Sequence, residues 1–235
     1  MCFINCHLAA GQHQVRQRGR DVAAILEERA LFPEQSNFDP YAFVNGGDGT
    51  MVLDHEIVLV SIHSCYSFSY SEGYQLSGDM NYRIEARREV VVASVRSGEY
   101  QNLQIHDQLL KEMKFNRGFR LRSFQEGPID FIPTYKYDPR TNEFDTSPKK
   151  RIPAWCDRIL WRVLNSSRAV QTQYCRWEAN ISDHRPISAV FDLTVKSIHP
   201  ALRATVKSDV EKEWAGRQER LLSDIQMFYV DWGIL

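Results

Sequence analysis

The stretch that most restricts the fold is residues 77–83, Ser77-Gly78-Asp79-Met80-Asn81-Tyr82-Arg83. A carboxylate and an amide stand two residues apart. On an extended segment that spacing puts both side chains on one face. There the carboxylate can take a proton from water while the amide steadies the water or an oxyanion. The plain alternative is a turn, which Gly-Asp-x-Asn also suits. Alone the heptapeptide is a weak signal. Its weight comes from further stretches that follow in a set order.

At 235 residues the chain has room for one large domain or two small ones. The net charge of −1 leaves no bulk field to draw it to nucleic acid or a membrane, so anion recognition has to come from local clusters. No apolar run approaches the roughly 20 residues that span a bilayer. Met1-Cys2-Phe3-Ile4-Asn5 lacks the basic start and apolar region of a secretory signal. Five cysteines (Cys2, Cys6, Cys65, Cys156, Cys175) form no Cys-x-x-Cys pair. They read as reduced thiols of an intracellular protein, not as a disulfide frame or zinc site.

Residues 2–8 read as a strand ending at His7, with a turn at Gly11. A His at a strand's carboxyl end is placed where sites often form. Val15, Val22, Ala23, Ile25, Leu26 and Ala30 give residues 12–31 the stripe of a helix, whose basic run 16–20 reads as a solvated face. Gly46-Gly47-Asp48-Gly49 lacks the Lys and the strand–helix context of a P-loop and reads as a turn. Residues 51–60 read as a buried strand, and 83–98 and 103–113 as helices. Residues 129–132, 159–164, 174–179 and 187–195 are strand candidates. Residues 201–230 form largely one helix with Val206, Val210, Trp214 and Leu221 on its apolar side, suited to its own domain, a partner helix or a membrane surface.

Two further stretches carry chemistry. Asp157 lies in Trp-Cys-Asp-Arg and His184 in Ser-Asp-His-Arg-Pro. An Asp and a His from distant segments can pair, which fixes the imidazole tautomer and favours its charged form. Asp183 offers a hard oxygen to Mg²⁺. Tyr135, Lys136, Lys149 and Arg151 supply hydroxyl and cationic groups that can grip a phosphate. With Asp79 and Asn81 handling water, the set describes metal-assisted phosphoester hydrolysis.

These stretches resemble the inositol polyphosphate 5-phosphatase family, the synaptojanin and oculocerebrorenal-syndrome group. The matching runs are Phe3-Ile4-Asn5-Cys6-His7-Leu8-Ala9-Ala10-Gly11, Gly78-Asp79-Met80-Asn81-Tyr82-Arg83-Ile84, Pro133-Thr134-Tyr135-Lys136-Tyr137-Asp138, Pro153-Ala154-Trp155-Cys156-Asp157-Arg158-Ile159-Leu160 and Ser182-Asp183-His184-Arg185-Pro186. They occur in the family's order between residue 3 and about residue 195. The resemblance implies an α+β fold, the four-layer β-sandwich of the endonuclease/exonuclease/phosphatase (DNase I-like) superfamily, lacking its first strands. It implies Mg²⁺-dependent removal of the 5-phosphate from a phosphoinositide lipid or a soluble inositol phosphate, in the cytoplasm and peripherally at membranes. Neither nucleic acid nor an oligomeric partner is implied. By the matching positions Asp79 is the general base and Asn81 orients the water or the transition-state oxygens. His7 and His184 bind the scissile phosphate, Asp157 orients His184, and Asp183 lies at the metal end. Tyr135, Lys136, Lys149 and Arg151 match the family's 4-phosphate grip.

Three departures accompany the resemblance. The family's Mg²⁺-ligating Glu lies on an earlier segment with no counterpart here, and losing one carboxylate weakens a hard-cation site. Residues 59–76 read as an insertion ahead of the Gly-Asp-x-Asn stretch. Cys6 replaces the family's usual Ser or Thr. Residues 1–195 are accordingly read as the C-terminal part of a 5-phosphatase catalytic domain and 196–235 as a helical extension. The alternative is a non-catalytic phosphoinositide-binding module of the same fold. A nuclease of the superfamily is disfavoured by the charge of −1, because a phosphate backbone calls for a basic surface.

Overall fold

The computed structural model describes residues 1–29, 49–61, 79–195 and 199–231. It divides into two units, Met1–Leu193 and Thr194–Leu235. The first unit is built on two sheets. Strand β1 (Cys2–Asn5) pairs in parallel with β2 (Ile57–Ser61), which pairs antiparallel with β4 (Leu160–Val163). The two-residue strand β3 (Gln125–Glu126) closes the order β1-β2-β4-β3. The second sheet is the antiparallel pair β5 (Ala169–Arg176) and β6 (Ile187–Leu193), with a register shift between Gln171 and Gln173.

Strand β2 explains why Ile-Val-Leu-Val reads as continuous apolar sequence. A strand buried on both faces has no polar side to alternate with. Val58 and Val60 face a core shared with Cys2, Ile4 and Leu160, with Val22 and Leu26 of helix α1 (Val15–Glu27), and with Met80 and Tyr82. Ile57 and Leu59 face the other way, into a core with Trp161 and with Ala169, Ile187, Ala189 and Phe191 of the second sheet. A third cluster, including Ile84, Leu103, Ile129 and Trp155, packs Val91 of helix α2 (Arg88–Ser97).

The topology gathers the chain at one end of the first sheet. β1 and β2 are parallel and β4 runs against them, so the exit of β1 and the entry of β4 lie at the same end. His7 follows β1 by two residues and Asp157 precedes β4 by three.

Several expected elements differ. Residues 51–60 are not one strand: a 3-10 turn, Val52–Asp54, precedes β2, and the Asp54 carboxylate accepts from the backbone N–H of Gly49 and Met51. The helix expected over 83–98 begins only at Arg88, because Ile84 is extended and bridges Asp107. The helix expected over 103–113 is broken at Asp107. A 3-10 segment, Tyr100–His106, ends there, and the Asp107 side chain caps helix α3 (Gln108–Phe115) by accepting from Leu110 N at 2.9 Å. Residues 129–132 alternate but form no strand. The carbonyls of Ile129, Asp130 and Phe131 accept instead from Gln104 Nε2, Tyr100 OH and Trp155 Nε1, so side chains replace the ladder. β5 starts five residues before the expected strand at 174. Arg18, expected on a solvated helix face, is fully buried and donates to the carbonyls of Ala9 and Gly11 and to Gln108 Oε1.

Of the expected insertion, residues 59–61 belong to β2; residues 62–76, Ser77, Gly78, Cys65 and residues 46–48 lie outside the described residues. Cys2, Cys6, Cys156 and Cys175 are free thiols. The second unit is helix α4 (Pro200–Asp231). It exposes Val206, Trp214, Leu221 and Ile225, and no described helix is long and apolar enough to cross a membrane.

Candidate active site

Asp79 and Asp157 meet as an antiparallel bridge, and the adjacent Met80 N–H donates to Cys156 O at 2.7 Å. This pairing ties the Gly-Asp-x-Asn stretch to the Trp-Cys-Asp-Arg stretch across 78 residues of sequence. Asn81 then departs from the extended expectation. Its φ is +56°, in the left-handed region that Asn tolerates better than most residues. Its backbone N–H donates to Asp79 Oδ1 at 2.8 Å and its Nδ2 to Asp79 Oδ2 at 3.1 Å. The two side chains converge through a left-handed turn, not through the pleat of a strand. Asn81 Nδ2 also donates to Leu8 O at 3.0 Å, which anchors the loop after His7.

His184 enters from the segment before β6. Tyr135 bridges both Ala154 and His184, and Arg185 N donates to Thr134 O at 2.8 Å. His184 Nδ1 lies 3.0 and 3.1 Å from the two oxygens of Asp157. A proton on Nδ1 satisfies that carboxylate and leaves Nε2 toward Asp79, whose Oδ2 is 3.9 Å away. His7 Nε2 stands 3.5 Å from the same Asp79 oxygen, with its side chain 66% exposed. Asp79, Asn81, Asp157, His184 and His7 therefore come together.

Their environment sets their charges. Burial raises the Asp79 carboxyl above the ordinary carboxylate range, and the Asp157 charge pushes the same way; His184, the Asn81 N–H and His7 pull back. Burial opposes the charge on His184, but its hydrogen bond to Asp157 and the charges of Asp157, Asp79 and Asp183 outweigh it, so the imidazole pKa is raised. A carboxylate poised to take a proton thus faces an imidazole poised to stay cationic.

The remaining expected residues divide. The Tyr135 ring lies 4.6 Å from the His184 ring. Lys136 Nζ is 2.8 Å from Asp183 Oδ2. That bond lifts the Lys136 pKa. Burial pushes the Asp183 carboxyl up, but the Lys136 bond together with the His184 and Lys136 charges and the Ser182 hydroxyl outweighs it and holds the carboxyl below the usual range. Asp183, expected at the metal end, is thus bonded to the lysine expected in the phosphate grip. Lys149 and Arg151 are exposed. Their loop is tied to Lys136 by Asp145, whose N–H donates to Lys136 O and whose Oδ2 accepts from Arg151 N at 2.7 Å. Among the described residues no group of three or more His, Cys, Asp or Glu side chains has the arrangement of a metal site. A hydrated Mg²⁺ does not require one, since it is bound by one or two carboxylates and keeps several waters. Asp183, an oxygen donor held anionic, fits that chemistry.

Sequence reasoning missed Arg83 and Asp145. Arg83 Nη2 donates to Asn81 Oδ1, its Nε donates to Asn81 O at 3.1 Å, and its guanidinium sits 4.4 Å above the Tyr135 ring. The available signal was spacing: Arg83 follows Asn81 by two, as Asn81 follows Asp79. Asp145 gave no such signal within its polar loop.

Residues 1–190 match the model of Endonuclease/Exonuclease/phosphatase family 2. The chain is 38% identical over 230 residues to a probable inositol polyphosphate 5-phosphatase of Schizosaccharomyces pombe, covering 97% of this chain and 18% of that protein. It is 35% identical over 225 residues to type IV inositol polyphosphate 5-phosphatase 9 of Arabidopsis thaliana, covering 92% of this chain and 47% of that one. Among solved structures it matches the inositol polyphosphate 5-phosphatase domain of SPsynaptojanin, determined with inositol (1,4)-bisphosphate and a calcium ion. That match has a TM-score of 0.63 and 31% identity, and covers 93% of this chain and 53% of that one. The chain thus spans less than half of these curated relatives and about half of the solved domain. A family model that runs from residue 1 past His184 makes the chain a member of Endonuclease/Exonuclease/phosphatase family 2, with similarity to inositol polyphosphate 5-phosphatases within it.

Proposed function

We propose that the protein hydrolyses the 5-phosphate of an inositol phosphate or phosphoinositide, with phosphatidylinositol 4,5-bisphosphate as the lipid substrate and Mg²⁺ as the cation. The observation that carries this reading is the convergence of Asp79, Asn81, Asp157 and His184. Asp79 takes a proton from the attacking water, which its raised pKa makes more favourable than for an ordinary carboxylate. Asn81 keeps that carboxylate aimed through two hydrogen bonds. His184, cationic and fixed by Asp157, faces the phosphoryl oxygens, and the exposed His7 approaches them from the β1 side. Tyr135, Lys136, Lys149 and Arg151 receive a neighbouring phosphate of the ring, in the way planar and point cations receive phosphates generally. Asp183 is the carboxylate that would hold Mg²⁺, which when bound supplies Lewis-acid neutralisation of phosphoryl charge.

The substrate's charge and lipid anchor put the protein at cytoplasmic membrane surfaces, in transient contact and as a single copy. The test is phosphate release from inositol 1,4,5-trisphosphate and from vesicles containing phosphatidylinositol 4,5-bisphosphate, with and without Mg²⁺. Mg²⁺-dependent release that Asp79→Ala abolishes is the expected result. A wild-type protein that releases no phosphate yet binds the vesicles overturns the catalytic reading and makes the protein a binding module.

A further inference from the structure

We propose that Arg83 is a positioning residue for this reaction: it clamps Asn81 from behind and thereby holds the Asn81 amide against Asp79. The inference rests on the 5-phosphatase reading for its effect on turnover, but its geometric content stands apart from it.

The Asn81 amide meets three partners, one backbone carbonyl and two side chains, with opposite demands. Leu8 O and Asp79 Oδ2 are acceptors and require the Nδ2 end. Arg83 Nη2 is a donor and requires the Oδ1 end. A rotated amide would set oxygen against two acceptors and nitrogen against a guanidinium, so the three contacts admit one orientation. Arg83 also donates from Nε to the Asn81 backbone carbonyl at 3.1 Å. One planar fork therefore grips both oxygens of a residue whose φ is +56°. Lysine cannot reproduce that fork, because its ammonium is a point donor on a flexible stem.

The same guanidinium lies over Tyr135, and Tyr135 stacks toward His184. Arg83 therefore joins the Asp79–Asn81 half of the site to the Tyr135–His184 half. It is 7% exposed, and its contacts with Asn81 and Tyr135 are the route by which it acts.

The test pairs two measurements on Arg83→Met and Arg83→Lys in the full chain. The first needs no substrate: titration of the Asp79 carboxyl by ¹³C NMR. The charged groups acting on Asp79 are Asp157, His184, His7, Arg18 and Arg83 itself, with the Asn81 donors beside them; Arg83→Met removes one of those charges, whereas Arg83→Lys keeps them all. Release of the Asn81 amide removes one donor from Asp79, so its titration is expected to move to higher pH in Arg83→Lys, and further in Arg83→Met, which also loses the Arg83 charge. Unchanged titration in Arg83→Lys overturns the proposal, whatever the methionine variant shows. The second measurement is turnover. Arg83→Met is expected to lower kcat about 100-fold with KM held within about threefold, as for a misplaced reacting group. In an Asn81→Ala background the same change is expected to add less than about threefold, because the two act as a unit. An equal loss in both backgrounds is what a merely structural role gives, and it overturns the proposal. If the methionine variant does not fold, the lysine variant decides: wild-type turnover and wild-type Asp79 titration in it overturn the clamp. A wild-type protein that hydrolyses no inositol phosphate defeats the 5-phosphatase reading alone, and the Asp79 titration still judges Arg83.

Discussion

At Asp79 and His184 two titrations run in the same direction for stability and in opposite directions for catalysis. Both folded pKa values are raised. Asp79 must shed its proton to act, so the acid limb of kcat/KM is expected above the ordinary carboxylate value of about 4. His184 must keep its proton, so the alkaline limb is expected above the ordinary imidazole value of about 6.5. A pH–rate profile checks both; limbs at the unshifted values would contradict the burial and pairing described for them. For stability each group binds its proton more tightly when folded. Each contribution is full below the unfolded pKa and is lost as pH rises through the folded one. Denaturant midpoints on either side of the His184 titration are therefore expected to fall toward alkaline pH. Asp157→Asn keeps a hydrogen-bonding partner but removes the charge. It is expected to cost about 100-fold in turnover and to move the alkaline limb downward. At this scale the sequence showed which residues meet, because His, Asp and Asn in short motifs announce chemistry. It hid Arg83 and Asp145, because a buried arginine and a loop aspartate look like any solvated ones until the fold closes over them.

Among the elements, helix α3 and the segment leading into strand β4 are joined by charge as well as by the apolar cluster that holds Leu109 and Leu160. Arg158 is fully buried; Nη1 meets Asp107 Oδ1 at 2.9 Å and Nη2 meets Glu126 Oε2 at 2.6 Å, while Tyr174 OH reaches Glu126 Oε1 at 3.0 Å. Asp107 both caps α3 and pairs with the residue that follows Asp157 in sequence. Asp107→Ala is therefore expected to destabilise by about 3–5 kcal/mol, measured by chemical denaturation, since it strands buried charge and removes a cap. A loss within about 0.5 kcal/mol, typical of a surface change, would show that Glu126 alone satisfies Arg158. Sequence periodicity found β4, β6 and α4 with small errors in their ends. It failed over 83–87, where the chain is extended and pairs its backbone with His106 and Gln108 around the Ile84–Asp107 bridge, and over 129–132, where side chains take the backbone carbonyls. It also failed to stop at Asp107, because an aspartate inside a helical pattern reads as a solvated position unless its capping role is seen.

For the molecule as a whole, the three described apolar clusters all lie within Met1–Leu193. Removing Thr194–Leu235 is expected to move the thermal midpoint of the remaining unit by less than about 2 °C, which calorimetry can read directly. A larger drop would mean that the helix contributes to the stability of the first unit. Within that unit, β2 is a partition with an occupied room on each side: Val58 and Val60 look into one, Ile57 and Leu59 into the other. Neither room can be emptied while the wall stands. Leu59→Ala, costing about 2–5 kcal/mol, should therefore weaken both sides together, and the amides of Val58 and Leu59 should trade their protons for deuterium only when the entire unit comes apart.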